Sequence, residues 1–345
     1  MKIGLDISPL STGHKVRGVG FYVKLLMDNL EKFDKKNSYD FFSGSLPRDL
    51  DVVHYPYFDP FQITLPRRLP KKTLVTVHDL TPIVFKDHFP SGFKGNLRFL
   101  IQKRRLAKAS MIIADSECSK KDIIRLIGIP EERVRVVYLA ANEVYKSQKH
   151  GKWENDFRKR FGLPEEFVLY VGDATWNKNL PNLINAIKQT SHKLVMVGKV
   201  WENTLDSVPD NPWNKDLREV LSEIENDDRF MRLGFVSDLE LCYIYNLATV
   251  FIMPSVYEGF GLPVLEAMNC GAPVITTRGG SLPEVAGTAG YYVEPNDPEN
   301  IKEAINAMMS DAKLRTIFSR KSIAQAKKFS IKKMIEETAD IYSSV

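Results

Sequence analysis

The sequence predicts an α/β fold made of two doubly wound domains, each a parallel sheet with helices on both faces. The chain has 345 residues, which is long for one domain and suits two. Short β-branched apolar runs alternate with helical patterns, as buried parallel strands joined by helical crossovers do. The runs form two series with a polar stretch between them, so we expect one sheet from each series.

The apolar runs set the predicted strands and the domain limits. The first series predicts strands at 2–6, 51–55, 73–78, 111–115 and 134–138, and the second at 167–172, 193–198, 230–233, 250–254 and 273–277. We expect an N-terminal domain over 1–145, a linker in the polar stretch 141–155 and a C-terminal domain over 153–327. The last helix, about 328–345, is expected to pack back on the N-terminal domain.

Composition is typical of a soluble globular protein, with 43% hydrophobic and 26% charged residues. No apolar run reaches the roughly 18–20 residues that span a bilayer, and the N-terminus does not resemble a signal peptide. We therefore expect a cytoplasmic protein, at most peripheral at the inner face of the membrane.

Neither a metal nor a cofactor is expected. The three cysteines are scattered without metal-ligand spacing, and no cluster of histidines and carboxylates requires a metal. Asp49-Leu-Asp51 has the spacing of a metal-binding D-x-D motif. It precedes a predicted strand instead of following one, however, so it lies at the wrong end of the sheet.

Charge is unevenly distributed. Residues 1–150 hold 26 Lys and Arg against 16 Asp and Glu, a balance of +10 within a total of +5. The basic segments 65–72 and 94–108 interleave leucines with cations, which suits contact with an anionic membrane surface. An ordinary solvated helix face is the alternative. Nucleic acid is not expected as a partner, because no recognition motif accompanies the charge.

The segment Glu258-Gly-Phe-Gly-Leu-Pro-Val-Leu-Glu266 has the strongest functional signal. It follows a predicted buried strand, and in open parallel sheets ligands bind at the carboxyl ends of strands. Gly259 and Gly261 allow close approach of backbone to a ligand, and the following helix offers unpaired N–H groups to an anion. The two carboxylates are suited to holding sugar hydroxyls. The alternatives are a solvated loop acid for Glu258 and a helix-dipole interaction for Glu266.

This segment resembles the signature of the family 4 retaining glycosyltransferases. The resemblance implies the GT-B fold, with two facing Rossmann-like domains and a cleft between them. It covers nearly the whole chain, because further segments match in order. Arg17-Gly-Val-Gly-Phe-Tyr22 resembles a loop that contacts the donor diphosphate, and Thr76-Val-His78-Asp79 places His78 against the transferred sugar. Asp79 is expected to orient its loop.

In the second half, the resemblance assigns further contacts to the donor. Lys178, with Asn179 beside it, would give a point charge to the diphosphate. Many family members have arginine where this chain has Asn177, so one cation is missing. Arg17 and Arg278 remain alternatives for supplying it. The residues expected to bind the donor are Gly18, Gly20, Asn179, Gly198, Lys199, Val236, Gly259, Phe260, Gly261, Leu262 and Glu266.

The expected function is therefore retaining, metal-independent transfer of a sugar from a nucleoside-diphosphate sugar to a hydroxyl of a glycan or lipid-linked acceptor. Glu258, His78 and Lys178 are the expected catalytic residues. Mannose is favoured as the sugar, linked to GDP, with a UDP-linked sugar as the alternative. Two other functions fit the same architecture. One is a non-catalytic two-domain sugar-binding protein, and the other is a sugar-nucleotide epimerase or phosphorylase of the same fold.

Overall fold

A computed structural model describes residues 1–13, 18–149 and 151–345, and the chain in it forms two compact units. The first unit consists of Met1–Ala140 together with Phe329–Val345, and the second of Ala141–Lys328. In the described part of the chain, no helix is long and apolar enough to cross a membrane.

The first unit is a parallel six-stranded sheet with helices on its faces. Its strands are β1 (Lys2–Asp6), β2 (Ser38–Phe42), β3 (Val52–Tyr55), β4 (Thr73–Val77), β5 (Met111–Ala114) and β6 (Val134–Val136). Its helices are α1 (Gly18–Phe33), α2 (Thr81–Val84), α3 (Gly92–Leu106), α4 (Glu117–Asp122, continued by a π-helical turn Ile123–Ile127) and, at the C-terminus, α13 (Ile331–Ser344). Every residue of β3, β4 and β5 is buried, as expected for central strands covered on both sides.

The second unit repeats this architecture. Its strands are β7 (Val168–Val171), β8 (Leu194–Val197), β9 (Phe230–Gly234), β10 (Val250–Met253), β11 (Val274–Thr276) and β12 (Gly290–Tyr292). Its helices are α5 (Trp153–Phe161), α6 (Leu180–Lys188), α7 (Lys215–Ile224), α8 (Asp238–Leu247), α9 (Leu262–Asn269), α10 (Leu282–Ala286), α11 (Pro298–Ser310) and α12 (Ala312–Ala326). Leu183, Ile187, Leu194, Ile252 and Ile305 lie in its fully buried core.

Strand order differs between the two sheets. The first runs β2-β1-β3-β4-β5-β6 and the second β12-β11-β10-β7-β8-β9, and every pair of neighbours is parallel. The order therefore reverses between β1 and β3 in the first sheet and between β7 and β10 in the second. At such a reversal the connections leave to opposite sides and open a crevice at the carboxyl ends of the two strands.

The C-terminal helix α13 is anchored in the first unit by Tyr342. Its side chain is fully buried, and its hydroxyl lies 2.8 Å from Nδ1 of His54, a buried residue of β3. The Tyr342 ring also packs at a tilt against Tyr39 of β2, with 6.2 Å between ring centroids. The end of the chain thus completes the core of the unit that its beginning forms.

All ten strands predicted from the apolar runs are present, most of them shorter by a residue or two than predicted. The two strands without a prediction are β2 and β12, which lie at the edges of their sheets. Both are only partly buried, and their sequences, Ser-Tyr-Asp-Phe-Phe and Gly-Tyr-Tyr, lack a continuous apolar run. An edge strand has only one neighbour and needs less apolar surface than a central strand.

Candidate functional site

The signature segment forms a tight loop between β10 and α9. Gly261 caps the helix with φ of +97°, a left-handed conformation that favours glycine. A Cβ at this position would lie 2.9 Å from Cδ2 of Leu282, so space also requires glycine there. Leu262 and Pro263 then begin α9, where the missing N–H of proline costs no helical hydrogen bond.

A second loop, which follows β11, packs against the signature loop and hydrogen-bonds to it. Gly280 has φ of +62°, and a Cβ there would lie 2.7 Å from the backbone nitrogen of Glu258. The Ser281 hydroxyl donates to the Phe260 carbonyl oxygen at 2.9 Å, and its backbone N–H donates to the Glu258 carbonyl at 3.0 Å. The backbone of the signature loop is therefore fixed by buried hydrogen bonds, as a preorganised binding loop requires.

The loop after β7 is bonded to the signature loop from the other side. The side-chain amide of Asn177 donates to the Tyr257 carbonyl at 3.0 Å. The backbone carbonyl of Asn177 accepts from the Val256 N–H at 2.7 Å. Asn179 has φ of +59°, a conformation that asparagine tolerates, and donates to the Pro254 carbonyl at 3.0 Å. Buried Asn177 thus connects the two loops by hydrogen bonds, in the position where many family members have arginine.

These contacts bring Lys178 and Glu258 together at the carboxyl ends of β7 and β10. The Lys178 ammonium lies 2.7 Å from Oε1 and 2.9 Å from Oε2 of Glu258. The two side chains are 17% and 11% exposed, so the pair is mostly shielded but open at one side. Because β7 and β10 flank the reversal of strand order, the pair lies where a doubly wound sheet binds its ligand.

Glycines at the carboxyl ends of β7, β8 and β9 bring the three chain segments into close backbone contact. The Gly198 N–H donates to the Gly234 carbonyl at 2.9 Å, and a Cβ on Gly198 would lie 2.7 Å from the Gly172 carbonyl oxygen. Lys199 follows with its side chain exposed, and Val236 is buried beyond β9. Gly198, Lys199 and Val236, which were predicted to bind the donor, therefore share this edge of the second sheet.

Glu266 lies on α9 and is held by a tyrosine of α8. The hydroxyl of buried Tyr245 donates to Oε2 of Glu266 at 3.0 Å, whereas Oε1 has no hydrogen-bond partner among the described residues. Burial raises the pKa of Glu266 to about 7, and the hydrogen bond from Tyr245 opposes that rise. Glu266 can therefore accept a ligand hydroxyl with a carboxylate whose charge changes near neutral pH.

Two predicted donor-binding residues of the first unit, Gly18 and Gly20, lie in the first turn of α1. Gly18 is exposed and Gly20 is buried. Both are helical, whereas the family resemblance predicts a loop at these residues. Arg17, the residue considered as a substitute cation, falls outside the described residues. Arg278, the other candidate, stacks its guanidinium over the Tyr292 ring at 4.3 Å.

His78 follows β4 and is paired with an acid that follows β5. Its Nδ1 lies 2.6 Å from Oδ2 of Asp115, and its Nε2 lies 3.1 Å from the carbonyl oxygen of Pro56. The Pro56 carbonyl and an ionised Asp115 can only accept, so the ring satisfies both when both of its nitrogens carry hydrogen. Burial raises the pKa of the Asp115 carboxyl, and the neighbouring His78 opposes that rise. Burial also opposes a charge on the ring, but the Asp115 carboxylate and the two hydrogen bonds outweigh it and raise the pKa of His78. The folded unit thus favours the protonated form of His78.

Asp79, next to His78, accepts the Thr81 backbone N–H at 2.9 Å and so orients the turn into α2, as expected from the sequence.

A buried polar network lies behind His78. Tyr22 of α1 packs edge-on against the His78 ring, with 4.9 Å between centroids, and hydrogen-bonds Thr76 at 3.1 Å. Nε2 of His54 contacts the same Thr76 hydroxyl at 2.8 Å. Burial lowers the pKa of His54 to about 3, so this histidine is neutral.

Sequence reasoning missed three of these partners: Asp115, His54 and Tyr245. Asp115 had a usable signal, because it closes a predicted buried strand as His78 closes its neighbour. His54 and Tyr245 lie inside a strand and a helix among apolar residues, where the sequence gives no sign of a polar role. Among the described residues, no group of three or more histidines, cysteines or acids is placed to hold a metal ion.

Two family models match the chain. The model described as "Glycosyl transferases group 1" matches residues 151–325, and that described as "Glycosyltransferase Family 4" matches residues 23–143. The O-antigen chain mannosyltransferase B of Escherichia coli is 32% identical over 301 residues, which cover 85% of this chain and 75% of that protein. The serotype-specific mannosyltransferase WbdA of E. coli is 27% identical over 81% of this chain, which spans only 35% of its length.

Solved structures with a similar fold cover the whole chain. Sucrose-phosphate synthase from Thermosynechococcus elongatus has a TM-score of 0.79 at 19% identity, covering 100% of this chain and 98% of that one. HepE from Anabaena, solved in complex with UDP-glucose, has a TM-score of 0.74 at 18% identity, with all of both chains covered. At these identities the likeness concerns the fold.

Proposed function

We propose that this chain, which belongs to the glycosyl transferases group 1 within glycosyltransferase family 4, transfers mannose from a nucleoside-diphosphate sugar. Its family and its GT-B fold identify it as a glycosyltransferase. The acceptor in this proposal is a hydroxyl of a glycan or lipid-linked saccharide. The names of the E. coli relatives, both mannosyltransferases, support mannose and a surface polysaccharide. GDP-mannose is accordingly the preferred donor, with a UDP-linked sugar as the alternative.

The observation that carries the proposal is the Lys178–Glu258 pair at the reversal of strand order in the second sheet. In this proposal, the ammonium of Lys178 neutralises the diphosphate leaving group, and Glu258 accepts a hydroxyl of the sugar. Their ion pair holds both side chains in place before the donor arrives. Such preorganisation is the main means by which an enzyme stabilises charge that develops on a leaving group.

Other residues bind the rest of the donor. Glu266 accepts a ribose hydroxyl through Oε1, the oxygen that Tyr245 does not occupy. The backbone around Gly198 and Val236 holds the base, and the N–H groups at the start of α9, from Gly261 onward, face the sugar and phosphate.

The proposed reaction retains the anomeric configuration and needs no metal. The bond between the sugar C1 and the diphosphate oxygen breaks, and the acceptor oxygen bonds to C1 from the same face. The acceptor proton passes to the departing phosphate, so no enzyme nucleophile is required. Lys178 and the helix N-termini take the role that a divalent cation would have in neutralising the leaving group.

Incubation with a panel of nucleotide sugars tests this proposal. The purified protein is given GDP-mannose, GDP-glucose, UDP-glucose and UDP-galactose, with and without a chelator, and release of nucleoside diphosphate is followed. We expect slow release, fastest from GDP-mannose and unchanged by the chelator. Loss of release on chelation would refute metal independence. Failure to release or bind any of the four donors would favour a sugar-binding protein without catalysis.

A further inference from the structure

Two side-chain contacts join the helices α8 and α9 of the second unit. The hydroxyl of Tyr245 donates to Oε2 of Glu266 at 3.0 Å, and the sulfur atoms of Cys242 and Cys270 lie 3.9 Å apart. Cys242 precedes Tyr245 on α8, whereas Cys270 follows Glu266 at the end of α9, so the helices are antiparallel along this contact. The two contacts lie about one helical turn apart, so the Tyr245–Glu266 hydrogen bond belongs to a packed interface between the helices.

The ring of Tyr245 is fixed by aromatic neighbours. It is fully buried and packs edge-on against Phe251 of β10, with 5.6 Å between the ring centroids. It also meets the ring of Tyr145, which precedes α5, at 5.9 Å between centroids. Edge-to-face contacts of this kind stabilise a buried ring beyond its apolar area. The core of the unit therefore sets the direction of the Tyr245 hydroxyl before any ligand arrives.

Glu266 differs from Tyr245 in its access to solvent. It lies four residues after α9 begins at Leu262, and its side chain is partly exposed. Oε2 accepts from Tyr245, whereas Oε1 has no hydrogen-bond partner among the described residues. A carboxylate that a fixed donor holds at one oxygen loses rotational freedom, so its other oxygen keeps one direction.

The ionisable groups that face Glu266 are acids and proton donors. They are Tyr245 of α8, Tyr145 ahead of α5, Asp238 at the start of α8 and Cys270 at the end of α9. Burial raises the pKa of Glu266 to about 7, the hydrogen bond from Tyr245 opposes that rise, and the charge of Asp238 adds to it. In the described part of the chain no lysine or arginine pairs with Glu266, so the Tyr245 hydroxyl is the main group that favours its ionised form.

We propose that Tyr245 is a positioning residue for donor binding, which acts through Glu266 and directs Oε1 of its carboxylate to the ribose of the nucleotide. The proposal rests on the proposed function, because it takes Glu266 as the acid that binds the ribose. Tyr245 is fully buried, so it acts on the donor only through that carboxylate. It has no part in the bonds that break and form.

The chemistry of the pair explains why a tyrosine suits this role. Burial raises the pKa of Tyr245 well above its ordinary value of 10, so the hydroxyl keeps its proton and donates throughout the neutral range. The donated hydrogen bond favours the ionised form of Glu266, which can only accept. A ribose hydroxyl donates to that form, whereas a protonated carboxyl presents a competing hydrogen. Tyr245 thereby stabilises the state of Glu266 that binds ribose.

The substitution Tyr245→Phe tests the proposal, because it removes the hydroxyl and keeps the ring. Calorimetric titration gives the affinity for GDP or UDP, whichever the wild type binds more tightly, at pH 6, 7, 8 and 9. We expect Tyr245→Phe to bind about fivefold more weakly than wild type at pH 7 and within about twofold of it at pH 9. Without its donor, Glu266 should ionise about one pH unit higher, and at pH 9 it is ionised in both proteins.

The pH dependence separates this role from ordinary packing. The ratio of the two affinities at each pH cancels the ionisation of the nucleotide itself. An equal loss at every pH would show that the hydroxyl supports only the packing of α8 against α9. An unchanged affinity at pH 7 would show that Glu266 binds without help from Tyr245. Either result overturns the proposal.

A matched control is Tyr39→Phe in the first unit. Tyr39 of β2 is also buried, and its hydroxyl donates to Oδ2 of Asp34 at 2.5 Å, so this substitution removes the same group from another tyrosine–carboxylate pair. It changes no contact of the second unit and should bind nucleotide within about twofold of wild type at every pH. A pH-dependent loss equal to that of Tyr245→Phe would contradict the proposal. Both variants should keep the wild-type circular dichroism spectrum, because phenylalanine fills the space of each ring.

A double variant shows whether Tyr245 acts through Glu266. Glu266→Gln removes the ionisable group, so Tyr245→Phe/Glu266→Gln should bind nucleotide within about twofold of Glu266→Gln alone. Additive losses would overturn the proposal. If Glu266→Gln keeps the pH-dependent affinity of the wild type, the ribose-binding role of Glu266 fails and the role of Tyr245 fails with it. If Glu266→Gln loses that dependence and Tyr245→Phe does not shift it, only the role of Tyr245 fails.

Discussion

Each of the two sheets carries an ion pair at its carboxyl edge, but the pairs occupy different places in the strand order. Lys178 and Glu258 follow β7 and β10, which flank the reversal of strand order in the second sheet. His78 and Asp115 follow β4 and β5, whereas the first sheet reverses between β1 and β3. A crevice opens only at the reversal.

The two pairs also differ in the contacts that surround them. The Lys178–Glu258 pair is partly open, and loops fixed by glycines and asparagines present it. The side chains of His78 and Asp115 are 15% and 2% exposed, so only Asp115 is clearly more buried than the other pair, but both ring nitrogens of His78 contact protein acceptors. We infer that the pair of the second unit works on a ligand, whereas the pair of the first unit mainly stabilises its own unit and fixes a charge.

The largest effect is expected from breaking the pair of the second unit. Lys178→Met and Glu258→Gln should each lower kcat by about 10²–10³-fold, because each removes a group that stabilises charge or holds the sugar in the transition state. Nucleoside-diphosphate release from the donor gives the rate. The control is Lys188→Met, which breaks an exposed pair with Glu223 in the same unit and should leave the rate unchanged. Near-normal turnover in both site variants would refute the residue assignments.

Breaking the pair of the first unit should mainly affect stability. Asp115→Asn removes the buried acid that pairs with Nδ1 of His78 and should lower the free energy of unfolding by about 2–3 kcal/mol. Urea denaturation measures it. Asp228→Asn removes an acid that is 91% exposed from its pair with Lys193 and should change stability by less than about 0.5 kcal/mol. Equal effects of the two substitutions would show that the buried pair contributes no more than a surface pair.

The stability difference between wild type and Asp115→Asn should depend on pH. The folded-state pKa of His78 is raised above its ordinary value of 6.5, so folding favours the protonated ring. That contribution is complete below the unfolded pKa and is lost as pH rises through the raised folded pKa. The difference should therefore be larger at about pH 6 than at about pH 9. A difference that grows with pH would contradict a charged His78.

The smallest effect concerns Glu266. Its pKa of about 7 leaves it partly protonated near neutral pH. If its ionised form accepts the ribose hydroxyl, nucleotide affinity should rise by about tenfold between pH 6 and pH 8, because the competent fraction rises. Calorimetric titration measures the affinity. Glu266→Gln should show only the pH dependence of the nucleotide itself, and an unchanged profile in this variant would exclude Glu266 from the contact.

Particular residues show how far sequence reasoning reached. The central strands were predicted because every residue in them is buried, which leaves a continuous apolar run. Glu258 was singled out because its segment follows such a strand, and Lys178 because its segment resembles one of the family. Their direct contact could not be predicted, since 80 residues separate them and only the strand order makes β7 and β10 neighbours.

The first unit was harder to interpret for the same reason. Asp115 contacts His78 because β4 and β5 are adjacent, which the order of strands along the chain suggests but does not require. The role of Asn177 was also hidden, because a missing cation can be noticed in a sequence, whereas a hydrogen bond to Tyr257 depends on a loop 80 residues away. Local pattern predicts elements, and side-chain partners depend on tertiary structure.

The most direct test of the account is calorimetric binding of GDP or UDP, whichever the wild type binds more tightly, to three proteins. Neither nucleotide carries the transferred sugar, so binding reports the contacts to the diphosphate, the ribose and the base alone. We predict that Lys178→Met binds about tenfold or more weakly than wild type, and that His78→Gln binds within about twofold of it. Wild-type affinity in Lys178→Met together with loss of binding in His78→Gln would contradict the assignment of the donor phosphates to the second unit.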